Sequence, residues 1–190
     1  MSTETPTVTD ETVVTEAPKL DPKIKKRWID ALTSGKFKQA KSVLRAVAVK
    51  GKYKGKPVGY CCLGVLTELF RTSKANVDKY KWEPATDFEY SEDGQSKEVL
   101  SGACDFDDDS SLTPSCVAVW AGIRDANGFL ESDPKVVIAP LWKIAKYKAK
   151  LKKYKIKKSG ANGNGLTSLA ELSDAGFTFK EIADIIDTYL

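Results

Sequence analysis

The sequence predicts an α+β fold: one small domain of three or four helices packed on a small antiparallel sheet, with a disordered N-terminal tail. Apolar residues recur at helical spacing in well-separated segments. Short β-branched runs flank a turn rich in Gly, Lys and Pro. A chain of 190 residues with 42% hydrophobic content buries one core without needing disulfides or a metal.

The tail, expected over residues 1–20, is acidic and Thr-rich and has no periodic apolar face, so it needs no fold. It also lacks the basic and apolar regions of a secretory signal. The expected location is therefore the cytoplasm in which the chain is made. The single domain is expected over 21–190. Asp21 and Pro22 open its first helix, with Asp21 as N-cap and Pro22 at a position where its missing N–H costs nothing. Ile24, Trp28, Ala31 and Leu32 share a face, and Gly35 supplies a left-handed stop. Val43, Leu44, Val47 and Val49 suit a strand, and Lys50 to Pro57 reads as the turn of a hairpin.

Tyr60-Cys61-Cys62-Leu63-Gly64-Val65-Leu66 then begins a buried helix to about Arg71, with Cys62, Leu63, Leu66, Leu69 and Phe70 on one face. Gly64 lacks a side chain in the middle of that stripe, which predicts close approach of another backbone. An irregular acidic loop is expected over about 84–111. Thr113 and Pro114 start a short helix through Trp120, and Gly122-Ile123 resembles a Schellman stop. Val136, Val137 and Ile138 form a short strand. A Lys-rich insert spans about 140–165 and ends in a turn from Ser159 to Gly165. In the last helix, Phe179 to about Tyr189, Thr178 and Glu181 form a capping box and Phe177 and Ile182 a hydrophobic staple.

Charge is segregated along the chain. From Asp21 to Lys56 twelve Lys or Arg face two acids; from Asp87 to Asp109 nine acids face Lys97 alone; from Lys135 to Lys158 ten Lys occur with no acid. Such blocks attract one another or project opposite fields toward partners.

The chain has no histidine, which excludes Cys-His and Ser-His catalysis, histidine-ligated zinc and histidine acid-base chemistry. Cys61 at a helix N-terminus with Gln39 as an oxyanion donor would parallel papain-like enzymes, but the base is missing. Buried apolar thiols are the stronger reading, so no catalytic residue is assigned. Cys61, Cys62, Cys104 and Cys116 lack the two-residue spacing of a zinc knuckle. Asp105 to Asp109 lacks the loop glycine and closing glutamate of an EF-hand. Neither a metal nor a cofactor is assigned, and no apolar run is long enough to span a membrane.

The strongest functional lead is the run from Leu141 to Lys158, in which nine lysines interleave with three aromatics. Its candidate binding residues are Trp142, Lys143, Lys146, Tyr147, Lys148, Lys150, Lys152, Lys153, Tyr154, Lys155, Lys157 and Lys158. As a helix, Leu141, Ile144, Tyr147, Leu151 and Tyr154 form a stripe; as a strand, Tyr147, Ala149 and Leu151 alternate with lysines. Either geometry leaves a cationic face that neutralises phosphates and offers rings to bases. The expected partner is nucleic acid or another polyanion, such as an acidic protein surface, with Lys25, Lys26 and Arg27 as further contributors. The alternatives are a virion structural or host-protein interaction factor and, further off, a cysteine-dependent enzyme or a protein that sequesters a nucleotide signal.

Several segments follow one another in an ordered series: Trp28 to Gln39, Tyr60 to Leu66, Leu112 to Ile123, Leu169 to Asp174 and Phe179 to Asp184. The series resembles a family of small uncharacterised bacteriophage proteins. The likeness covers most of residues 22–190 apart from the acidic loop and the Lys-rich insert. Family members usually carry Leu-Asn-Asp where this chain has Leu172-Ser173-Asp174. The resemblance implies a phage-like origin, in a host cytoplasm or a virion, and a compact α+β fold, without supplying a reaction.

Overall fold

A computed structural model describes residues 20–90, 96–107, 113–123, 134–158 and 165–190. The expected tail, apart from Leu20, and the turn expected from Ser159, apart from Gly165, lie outside these residues. Leu20 is buried and belongs to the core.

Helix α1, Pro22–Thr33, starts as its residues dictate: the Asp21 carboxylate accepts the N–H groups of Lys23 at 2.7 Å and Ile24 at 3.2 Å. Its buried stripe is Ile24, Trp28 and Leu32. The hairpin follows as β1, Arg45–Val47, and β2, Pro57–Tyr60, which pair antiparallel around a 3-10 turn at Gly51–Tyr53. Helix α2, Cys62–Arg71, is the central element, with every residue from Cys62 to Thr67 buried. The indole N–H of Trp28 donates to the Cys62 carbonyl at 2.9 Å, tying α1 to the start of α2.

The acidic segment departs from expectation. In place of an irregular loop the chain forms β3, Glu83–Tyr90, and β4, Ser96–Asp105, an antiparallel ribbon. Thr86, Phe88 and Tyr90 alternate with Asp87 and Glu89, the period of a half-solvated strand, which the high count of acids obscures. The four-stranded sheet has the order β2-β1-β4-β3, with antiparallel pairing throughout.

Helix α3, Ser115–Ala121, closes on Gly122 at φ 73°, and the Ile123 N–H returns to the Ala118 carbonyl at 2.9 Å. Strand β5, Lys135–Val137, pairs with β6, Leu166–Ser168. Between them run α4, Ile138–Lys143, and α5, Ala145–Lys153; after β6 come α6, Leu169–Asp174, and α7, Phe179–Tyr189. The described residues thus carry seven α-helices where three or four were expected. The additional ones, α4 to α6, are short, and α4 and α5 come from the Lys-rich segment.

The core is mostly helical: α1 lies against α7 and α2, and α2 also meets α3 and α6. Gly64 permits this, because a β-carbon there would overlap the Leu44 carbonyl oxygen. The same oxygen accepts the Cys61 N–H at 3.1 Å, so the chain before β1 and the start of α2 touch backbone to backbone.

Candidate functional site

The Lys-rich segment is helical, and the helical stripe decides its orientation. Leu141, Tyr147 and Leu151 are buried, and the Tyr147 ring packs against Phe177 at a centroid distance of 5.3 Å. Ile144, with extended backbone angles, separates α4 from α5. Tyr147 is therefore core and offers no ring to a ligand. Two lysines of the same helix are committed to α7. Lys150 meets the Glu181 carboxylate at 2.5 Å and the Gly176 carbonyl at 3.1 Å, and Lys146 lies 3.9 Å from Asp184.

The remaining lysines form the open face. Lys143, Lys148, Lys152, Lys153, Lys155, Lys157 and Lys158 are exposed, and none takes a carboxylate partner among the described residues. Lys158 sits 5.8 Å from the centre of the half-buried Trp142 ring. Tyr154 is 41% exposed and has Lys41 and Lys153 near its ring at 5.4 and 5.5 Å. Lys25, Lys26 and Arg27 have other engagements: the Asp187 carbonyl, the Asp30 carboxylate and the Trp120 ring.

Beside this face a cleft of about 420 Å³ runs between the end of α5 and α6, lined by Tyr154, Lys155, Ile156, Lys157, Glu171 and Asp174. Its two carboxylates are held by the protein. Glu171 accepts the Ser168 N–H at 3.0 Å and the Thr167 hydroxyl at 2.9 Å; Asp174 accepts the Ser42 N–H at 2.7 Å. Sequence reasoning assigned none of these residues to a site: Lys41 and Ser42 meet Asp174 across more than a hundred residues, and the local Ser168–Glu171 capping pattern was passed over.

The paired thiols lie inside the molecule. Cys62 is fully buried, with its sulfur 3.5 Å from the Leu169 carbonyl oxygen, and Cys61 is 4% exposed. Cys61 caps α2, its sulfur accepting the Gly64 N–H at 3.4 Å. The Cys62 thiol beside it, with the Gly64 and Leu63 N–H groups, holds the Cys61 thiol below its ordinary value against the opposing effect of burial. Gln39 is not available as an oxyanion donor: its amide donates to the Phe177 carbonyl at 2.7 Å and the Ser173 hydroxyl at 3.3 Å. None of the four cysteines, all of them among the described residues, forms a disulfide. Among the described residues no group of three or more Cys, Asp or Glu is placed to hold a metal ion, and no helix is long and apolar enough to cross a membrane.

Neither a curated protein nor a solved structure matches the chain. A family described as a domain of unknown function (DUF8296) matches residues 20–190, beginning at the first core residue, Leu20. The chain belongs to that family.

Proposed function

We propose that the chain is a non-enzymatic phage accessory protein, acting in the host cytoplasm, that binds nucleic acid or another polyanion through the open lysine face of α5 and the segment after it. One observation carries the reading. Seven exposed lysines, without carboxylate partners among the described residues, stand on and around a helix whose other side is locked into the core by Tyr147 and Leu151. A cationic face on a rigid support loses little order on binding, and each phosphate it neutralises releases a counterion. Tyr154 and the edge of Trp142 add aromatic surface to which bases can pack. Lys150 and Tyr147 support this face from beneath, held by Glu181 of α7 and by Phe177, while Lys146 is itself exposed, 3.9 Å from Asp184.

The reading predicts salt-sensitive binding with little sequence preference. If about five phosphates are engaged, log K falls against log salt with a slope of about −4.5 on a duplex and about −3.5 on a single strand. Fluorescence anisotropy on the full chain with single- and double-stranded oligonucleotides at two salt concentrations measures this slope. A variant carrying Gln at Lys143, Lys148, Lys152, Lys153 and Lys158 should lose most of the slope while keeping the fold. Absence of binding at low salt removes the proposal.

A further inference from the structure

We infer that the cleft between the end of α5 and α6 is a binding site for one small organic phosphate of mononucleotide size. The inference does not rest on the polyanion face, because it invokes a concave site with its own architecture and a ligand of one unit.

The first argument is shape. A cleft of about 420 Å³ falls in the size range of small-molecule sites, roughly 300–1,000 Å³, and far exceeds what a simple ion needs. Tyr154 and Ile156 supply an apolar wall, so the ligand has a flat or apolar part as well as a charge.

The second is charge. Glu171 and Asp174 line the cleft, and each is engaged within the protein. The Glu171 carboxylate closes the capping box of α6 with Ser168 and also takes the Thr167 hydroxyl, while Asp174 holds the Ser42 N–H and hydroxyl at 2.7 and 3.5 Å. Lys155 and Lys157 line the cleft as exposed cations, and Lys41 stands at its edge, 3.1 Å from the Asp174 carbonyl oxygen. Two lysines in the lining, with Lys41 at its edge, suit a group with several charged oxygens, as a phosphate has.

The third is backbone conformation. Among the described residues three non-glycines take a positive φ; Lys155 at 58° lines the cleft, and Ser42 at 61° is held by Asp174 of its lining. Lys155 occupies the left-handed position of a Schellman cap, with its N–H on the Lys152 carbonyl at 3.1 Å and the Ile156 N–H on the Leu151 carbonyl at 2.9 Å. The same cap after α6 uses Gly176 and that after α3 uses Gly122, the residue this geometry favours. A lysine in place of glycine gives up stability and places a cationic side chain at the mouth of the cleft. Ser42 is held in the same unusual region by Asp174, on the wall of the same cleft.

Isothermal titration of the full chain with AMP, adenosine and inorganic phosphate tests the site. AMP should bind, with adenosine and phosphate each weaker by about tenfold or more, since each lacks one of the two recognised parts. The Lys155→Gly, Lys157→Gln double variant should weaken AMP by about tenfold or more. Lys155→Gly alone should raise Tm, which separates a binding role from a folding role. No AMP binding up to about 10 mM, phosphate binding as well as AMP, AMP affinity unchanged in the double variant, or a Tm lowered by Lys155→Gly would each overturn the inference. A 5′-phosphorylated oligonucleotide competing with AMP, beside the same strand with a 5′-hydroxyl, identifies the source. Competition by the phosphorylated strand alone points to strand ends and its absence to free nucleotides, and both support the site. AMP binding without oligonucleotide binding leaves the cleft and removes the polyanion face; the converse removes the cleft.

Discussion

A β-carbon on Gly64 would occupy the space of the Leu44 carbonyl oxygen, and its next neighbours are also backbone atoms of Leu44. Backbone cannot rotate aside as a long side chain can, and that oxygen also receives the Cys61 N–H. Gly64→Ala should therefore destabilise the protein by at least about 3 kcal/mol, beyond the common range for overpacking, despite the better helix propensity of alanine. Urea unfolding of the purified variant measures it, and a loss under about 1 kcal/mol would show that α2 can shift away from Leu44. That some backbone approaches Gly64 was legible in the sequence, because a glycine inside an apolar helical stripe costs stability and needs a compensating contact. That the approaching residue is Leu44 was not, since nothing local encodes which segment crosses a buried helix. Lys155 shows the opposite limit: a lysine at a left-handed cap breaks the local rule for ending a helix, and sequence reasoning passed over the turn.

Helix α7 is the element whose sequence describes it most completely. The Thr178 hydroxyl oxygen accepts the Glu181 N–H at 3.3 Å, and the Glu181 carboxylate accepts the Thr178 N–H at 2.8 Å, the expected capping box. What the spacing did not contain is Lys150, which brings α5 onto the same carboxylate. Burial alone would raise the Glu181 pKa, but Lys150 and the Thr178 N–H and hydroxyl outweigh it and hold the group below its ordinary 4.5. A folded-state pKa below the unfolded value contributes stability that is present above the unfolded value and lost as pH falls through the folded one. Glu181→Gln should thus cost about 1 kcal/mol at neutral pH, by weakening charge-assisted bonds while keeping the cap, and the gap from wild type should close below pH 4.5. Denaturant unfolding at pH 7 and pH 3 checks this, and a pH-independent gap would contradict it. The acidic ribbon was illegible for a related reason: counting carboxylates measured solubility, whereas β3 and β4 are set by alternation and by pairing with each other. The Lys-rich segment fitted both periods, and burial of Leu141, Tyr147 and Leu151 selected the helix.

Over the whole molecule the interior and the surface divide the chemistry. The thiols of Cys61 and Cys62 are buried at the start of α2, the Cys61 sulfur on the Gly64 N–H and the Cys62 sulfur against the Leu169 carbonyl of α6, while the Trp28 indole of α1 holds the Cys62 carbonyl. Reaction with a thiol reagent therefore requires α2 to leave its place, which amounts to unfolding the domain. Cys116 differs. It is half-buried and reachable without unfolding, but burial, followed by Asp107 as hydrogen-bond partner and negative charge, pushes its thiol up to about 11, so little thiolate is present near neutrality. Labelling with a disulfide reagent in native buffer should be slow for every thiol, with Cys116 speeding up as pH rises. For Cys61 and Cys62 the rate should depend on urea with the slope of global unfolding measured by circular dichroism. Peptide mapping of the labelled protein resolves the sites. The lowered pKa of Cys61 sharpens the test, because such a thiol reacts faster than an ordinary one once solvent reaches it. Rapid native-state labelling of Cys61 near neutral pH would place a reactive nucleophile where packing alone is expected, and would shift the function of this chain from surface charge to covalent chemistry.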